Sequence, residues 1–148
     1  MLSPRLKELI LIDTVNLFLI LGILLFCAGT LLGIPHGSAK RKKDIKRTEL
    51  WRIAHLSTCL GGIALIAMDL ALERLAPALL VYTMSPLALA AYCFFAACSL
   101  SGVLNKSWDE ERNEGSVLLI YRLQIFASLM SILAVIAVVI TIFWKIFS

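Results

Sequence analysis

The chain has 148 residues, 60% of them hydrophobic, with 14 Lys+Arg against 10 Asp+Glu and a formal net charge of +4. Its mean hydropathy is +0.91, whereas a soluble domain is about half apolar, so the excess must be covered by lipid or by partner subunits. Polar segments run to roughly 15 residues at most, which excludes a soluble domain. The one basic segment is short and lacks interleaved aromatics, which excludes nucleic acid as a partner.

Four apolar stretches follow one another at 9–34, 51–72, 76–104 and 116–146. Each is near or above the ~20 residues that cross a hydrocarbon core as a helix. The pattern predicts an all-α membrane protein, a single four-helix transmembrane domain over 1–148. The first stretch is too long for the apolar part of a signal peptide. It contains Asp13 and Asn16 and runs into basic sequence instead of a cleavage site, so it reads as a retained helix.

A loop is expected over 35–50. It opens with Pro35, His36, Gly37 and Ser38 and carries Lys40, Arg41, Lys42, Lys43, Lys46 and Arg47. The positive-inside rule puts it in the cytoplasm, with both termini on the opposite side of the cell membrane (the inner membrane in a bacterium). Its cations also suit anionic lipid headgroups. Trp51 and Trp144 fall at expected interfaces, as aromatic belt residues do. Pro86 interrupts the third stretch, frees a carbonyl near Tyr82 and predicts a kink. Gly29 and Gly33, and Ala54 and Thr58, recur at four-residue spacing that lets helices approach closely. Cys27, Cys59, Cys93 and Cys98 all lie in apolar stretches without metal-ligand spacing and read as buried thiols.

The polar residues within the stretches sort into two layers. An outer layer holds Asp13, Asn16, Asp69, Thr83 and Ser85; an inner one holds Arg52, His55, Ser57, Ser99, Ser101, Tyr121, Arg122 and Gln124. Ionisable side chains in hydrocarbon are functional candidates by default. Asp13 and Asp69 read either as solvated interfacial carboxylates or as substrate or proton contacts. Arg122 either snorkels to the interface or pairs with an anion near His55.

His55 is the most informative position. His55, Cys59, Gly62, Ile66 and Asp69 follow at steps of four, three, four and three, which places them on one helix face. Gly62 leaves that face without a side chain, so a flat ligand has a slot there. Arg52, Lys46 and Arg47 lie toward the water end. An imidazole over an apolar slot with cations at its mouth meets the needs of haem b: iron on His55, propionates on Arg52 and Arg47, and the macrocycle against Gly62. A helix-end histidine bonded to a neighbour or to water is the other reading.

Trp51-Arg52-Ile53-Ala54-His55, followed by Leu60 and Gly62, resembles the second helix of the styrene oxide isomerase family, four-helix membrane proteins of similar length. The resemblance extends to an aromatic cluster, Tyr92-Cys93-Phe94-Phe95. It implies His55 as axial ligand of haem b, a trimer with haem near subunit interfaces, and Lewis-acid isomerisation of small lipophilic epoxides to carbonyls by ferric iron. Tyr92 is the candidate catalytic residue. Two positions depart from the family: Gly61 stands where it has Asn, and Cys93 stands where its Tyr would be, with Tyr92 one residue earlier. A weaker resemblance links the chain to the MAPEG-type glutathione and eicosanoid enzymes, but Ile53, Ser57 and Leu60 replace that family's Arg, Asn and Glu. A further reading, from a different class, is a non-catalytic small subunit of a larger membrane complex.

Overall fold

The computed structural model describes residues 4–76, 79–107 and 115–147, and their side chains except those of 4–16 and 146. The side chains of Asp13 and Asn16 therefore lie outside the described residues. Five helices follow in order: α1 (Pro4–Leu31), α2 (Gly33–Arg41), α3 (Ile45–Leu75), α4 (Leu80–Leu104) and α5 (Gly115–Phe147). Among the described residues there is no strand. The long helices α1, α3, α4 and α5 contain 28, 31, 25 and 33 residues. At 1.5 Å per residue even the shortest is about 37 Å long, enough to cross a core of ~30 Å. The protein is an all-α bundle with four helices long and apolar enough to span a membrane.

The segment expected as a loop is mostly helical. Proline is tolerated in a first helical turn, where its missing N–H has no partner to lose, and Pro35 is the third residue of α2. Lys and Arg are good helix formers and carry the helix on to Arg41. Only a short turn at 42–44 separates α2 from α3. Lys43 takes a left-handed φ of 56° there. Asp44 then caps α3: its side chain accepts from the Arg47 N–H at 3.0 Å. α4 runs through Pro86 to Leu104.

α1 and α3 are antiparallel. Gly22 lies against Ile66, Phe26 against Gly62, Gly29 against Cys59, and Gly33 against His55. α3 also packs on α4, and α4 on α5, while α2 folds back on α3. The main core joins Phe18 and Leu25 of α1, Leu65 and Leu72 of α3, and Leu80, Met84 and Ala88 of α4. A second cluster at the basic end joins Ala39, Trp51, Ala54 and Cys98. On α5 the buried residues Ile120, Ala127, Ala134 and Thr141 recur every seven positions, the seam of a helix that supercoils on its neighbour. The outer faces are Leu, Ile, Val and Phe. In lipid such surface gives no drive to associate, so close packing between helices carries the stability.

Trp51 corrects one expectation. It is 7% exposed, and its ring lies over Gly102 so closely that a Cβ there would meet ring atoms at 2.6–2.8 Å. It is a wedge between α3 and α4. Trp144 is exposed.

Candidate functional site

The ladder on α3 shares a face, as its spacing implies, and α1 lies against that face. Gly62 does not border an open slot. A Cβ built on it would sit 2.6 Å from the Phe26 nitrogen and 2.8 Å from the Gly22 carbonyl oxygen. Gly29 repays the approach from the other side, where a Cβ would meet the Cys59 nitrogen at 2.7 Å and its sulfur at 2.8 Å. Glycines on both helices thus bring the two backbones into contact, and no macrocycle enters between them. The assignment of Gly62 to cofactor binding is replaced by a helix-crossing role.

His55 is half-buried at the basic end of this crossing. Its Nδ1 lies 2.7 Å from the Gly29 carbonyl oxygen. A carbonyl only accepts, so Nδ1 carries a proton, and in the neutral ring this leaves the lone pair on Nε2. Nε2 makes no hydrogen bond among the described residues. The Cys59 sulfur is 3.9 Å from Nδ1, and all four cysteines are free thiols.

The other candidates are not gathered round His55. Arg52, one turn nearer the basic end, is exposed and paired with Glu49 at 2.7 Å. Arg47 Nη2 donates to the Val103 carbonyl at 3.2 Å, tying the start of α3 to the last turn of α4, where a cation is favoured by the helix dipole. Tyr92 reaches from α4 to α1 and donates its hydroxyl to the Leu21 carbonyl at 2.9 Å. Leu21 and Gly29 are eight residues apart on α1, about 12 Å, so Tyr92 and His55 engage separate levels of the bundle. Arg122 is exposed and forms no ion pair among the described residues.

A cavity of about 60 Å³ at the basic end is lined by Leu50, Ile53, Cys98, Ser101, Ser107 and Gln124. The Ser101 hydroxyl, 96% buried, has no partner there. The space suits a few water molecules and is well below the ~300 Å³ of a small-molecule site. Among the described residues no group of three or more His, Cys, Asp or Glu side chains converges on one point, so a metal held wholly by side chains, as structural zinc is, has no donor set. Axial ligation of haem needs one imidazole, which His55 provides.

Of the two readings of Asp69, the solvated interfacial carboxylate is corrected. The residue is 0% exposed, and among the described residues neither carboxylate oxygen has a hydrogen-bond partner. Its position one turn from Leu72 and one turn from Leu65, on the face that spacing makes the buried one, was the available signal.

The geometry defines the class: a bundle with four helices long and apolar enough to span a membrane, in which Arg47, His55, Thr83 and Tyr92 reach across to neighbouring helices. No protein-family model, curated protein or solved structure matches the chain.

Proposed function

We propose that the chain is a haem-b-binding integral membrane protein in which His55 Nε2 is the axial ligand and the macrocycle lies on the flank of the bundle, between copies of the chain. The observation that carries this is the bond from His55 Nδ1–H to the Gly29 carbonyl. Ligating histidines characteristically give the second ring N–H to a backbone carbonyl, which fixes the tautomer and aims the other nitrogen. The closed α1–α3 crossing argues for the flank over the interior. Arg52 and the exposed lysines of the 40–46 segment supply cations toward the basic end, where propionates need them. When bound, haem b supplies ferric iron as a Lewis acid or a one-electron centre. Isomerisation of a small lipophilic epoxide is the reaction the family resemblance implies. Tyr92 would have to leave the Leu21 carbonyl to act on a substrate.

Chain purified in mild detergent with haem supplied should show a Soret band, lost in His55→Ala and kept in Tyr92→Phe. A parent that stays colourless, or a His55→Ala variant that keeps the band, refutes the reading. The second reading, a small packing subunit of a membrane complex, is favoured by the interhelical contacts of Gly62, Tyr92 and Arg47, and takes over in that case. The basic segment is proposed to be cytoplasmic. A cysteine at Ser38, in a background lacking the native four, should resist an impermeant thiol reagent applied to cells.

A further inference from the structure

Asp69 lies on α3 between Leu65 and Leu72, all three at 0–2% exposure. It faces the core formed by Phe18 of α1 and Leu80 and Met84 of α4. It is six residues, about 9 Å, from the end of α3 at Leu75. Beside it, Leu72 and Leu75 join Thr141, Ile142 and Lys145 of α5 around a cavity of about 90 Å³. The hydroxyl oxygen of Thr141 is 3.4 Å from that of Thr83 on α4, and the Thr83 hydroxyl donates to the Leu79 carbonyl at 3.0 Å. Among the described residues neither Asp69 oxygen has a hydrogen-bond partner.

A carboxylate ion in such a place costs far more than a neutral polar group. A metal cation would relieve it but requires several converging ligands, and among the described residues no group of three or more His, Cys, Asp or Glu side chains forms there. A single proton relieves it with no further ligand. We propose that Asp69 is a proton-binding site inside the bundle, exchanging its proton with the aqueous face at which α3 and α5 end. The exchange adds a proton to one carboxylate oxygen and returns it to water, with no other bond made or broken.

The groups that set its field can be named. On α3, Glu73 one turn on adds a like charge, and Arg74 beside it is exposed. From α5, Lys145 stands at the cavity. From α4, Tyr92 packs on the same core with its hydroxyl bonded to Leu21. From α1, the described residues of that core, Phe18, Leu21 and Leu25, carry no titratable group. None of this depends on haem.

The probe is dicyclohexylcarbodiimide, an apolar reagent that couples to carboxyls bearing a proton. In sealed vesicles of one orientation it should add once per chain, at Asp69, in the parent and in Glu73→Gln but not in Asp69→Asn. Above the titration midpoint the rate should fall about tenfold per pH unit, as the protonated fraction does. It should follow the pH of the compartment facing the ends of α3 and α5. Infrared spectra of the unmodified parent should show the carbonyl stretch of a protonated carboxyl that shifts in deuterated water, a readout that needs no folded variant. Coupling at Glu73 alone, a rate indifferent to pH or set by the basic-end compartment, protection by sodium or potassium, or absence of the infrared band at every pH overturns the proposal.

Discussion

Gly61 and Gly62 offer a matched test of what lies against α3. Both are mid-helix, so alanine at either gains the same intrinsic helix propensity, about 1 kcal/mol. Their surroundings differ. A Cβ at Gly61 would lie 3.4 Å from Leu25 and 3.5 Å from Ala91 side-chain carbons, which is ordinary contact. One at Gly62 would lie 2.6 Å from a backbone nitrogen and 2.8 Å from a backbone oxygen and a Cα of α1. Backbone cannot rotate aside, so α1 must retreat by about 1 Å, and a gap of that size forfeits a quarter to a half of each dispersion contact along the crossing. Overpacking of this kind costs about 1–3 kcal/mol. Gly62→Ala should therefore be less stable than Gly61→Ala by about 2 kcal/mol, or roughly 30-fold in the unfolding equilibrium. The assay is stepwise SDS titration of detergent-solubilised protein, followed by helicity, with the parent alongside. Equal stability of the two variants would refute the backbone contact and reopen the slot that the sequence suggested.

Other expectations follow from contacts already described. Tyr92→Phe removes the hydroxyl bonded to Leu21 and should cost about 0.6 kcal/mol, the average for side-chain hydrogen bonds within membranes, measured by the same titration. A loss above about 3 kcal/mol would mean that the hydroxyl does more than join α4 to α1. Asp44→Ala removes the cap of α3 and should cost about 1 kcal/mol, with faster hydrogen exchange over residues 45–48 and unchanged exchange near Asp69. Gly102→Ala forces the Trp51 ring out of its seat at a cost of about 1–3 kcal/mol. In a chain where Trp108 and Trp144 are replaced by Phe, emission should shift to the red, and an unshifted spectrum would show that the ring had room.

The spans were legible because apolar runs of that length have few alternatives, and the ends were not. The basic segment was taken for a loop on its charge, but charge governs sidedness while lysine and arginine themselves favour helix, and α2 is the result. Periodicity correctly placed His55, Cys59, Gly62, Ile66 and Asp69 on one face. It could not say what covers that face, because a glycine that admits a flat ligand and a glycine that admits a helix backbone look the same in one dimension. The decisive partners were already present as Gly29 on α1 and Gly33 at the start of α2, read as packing residues but not paired with Cys59 and His55. Tyr92 and Trp51 show the same limit: the residue type announced a polar tip or an aromatic wedge, and only the fold supplied the carbonyl of Leu21 and the bare backbone of Gly102. For Asp69 the solvated alternative fails because nearness to a helix end does not give access to water, and the side chain is buried.

The α1–α3 crossing also bears on biogenesis. Its two partners are consecutive spans, joined by α2 and a three-residue turn, so everything that makes the contact is present once residue 75 has entered the bilayer. The glycine-to-backbone fit and the His55–Gly29 bond require nothing from α4 or α5, whereas the Tyr92–Leu21 bond and the heptad seam of α5 do. The first half of the chain is thus equipped to close as a hairpin while the second half is still being synthesised, presenting a finished surface on which α4 and then α5 settle. Disulfide trapping between cysteines placed at neighbouring positions of α1 and α3, in ribosome-stalled chains of increasing length, would reveal that order directly, with capture expected before α4 has entered the bilayer.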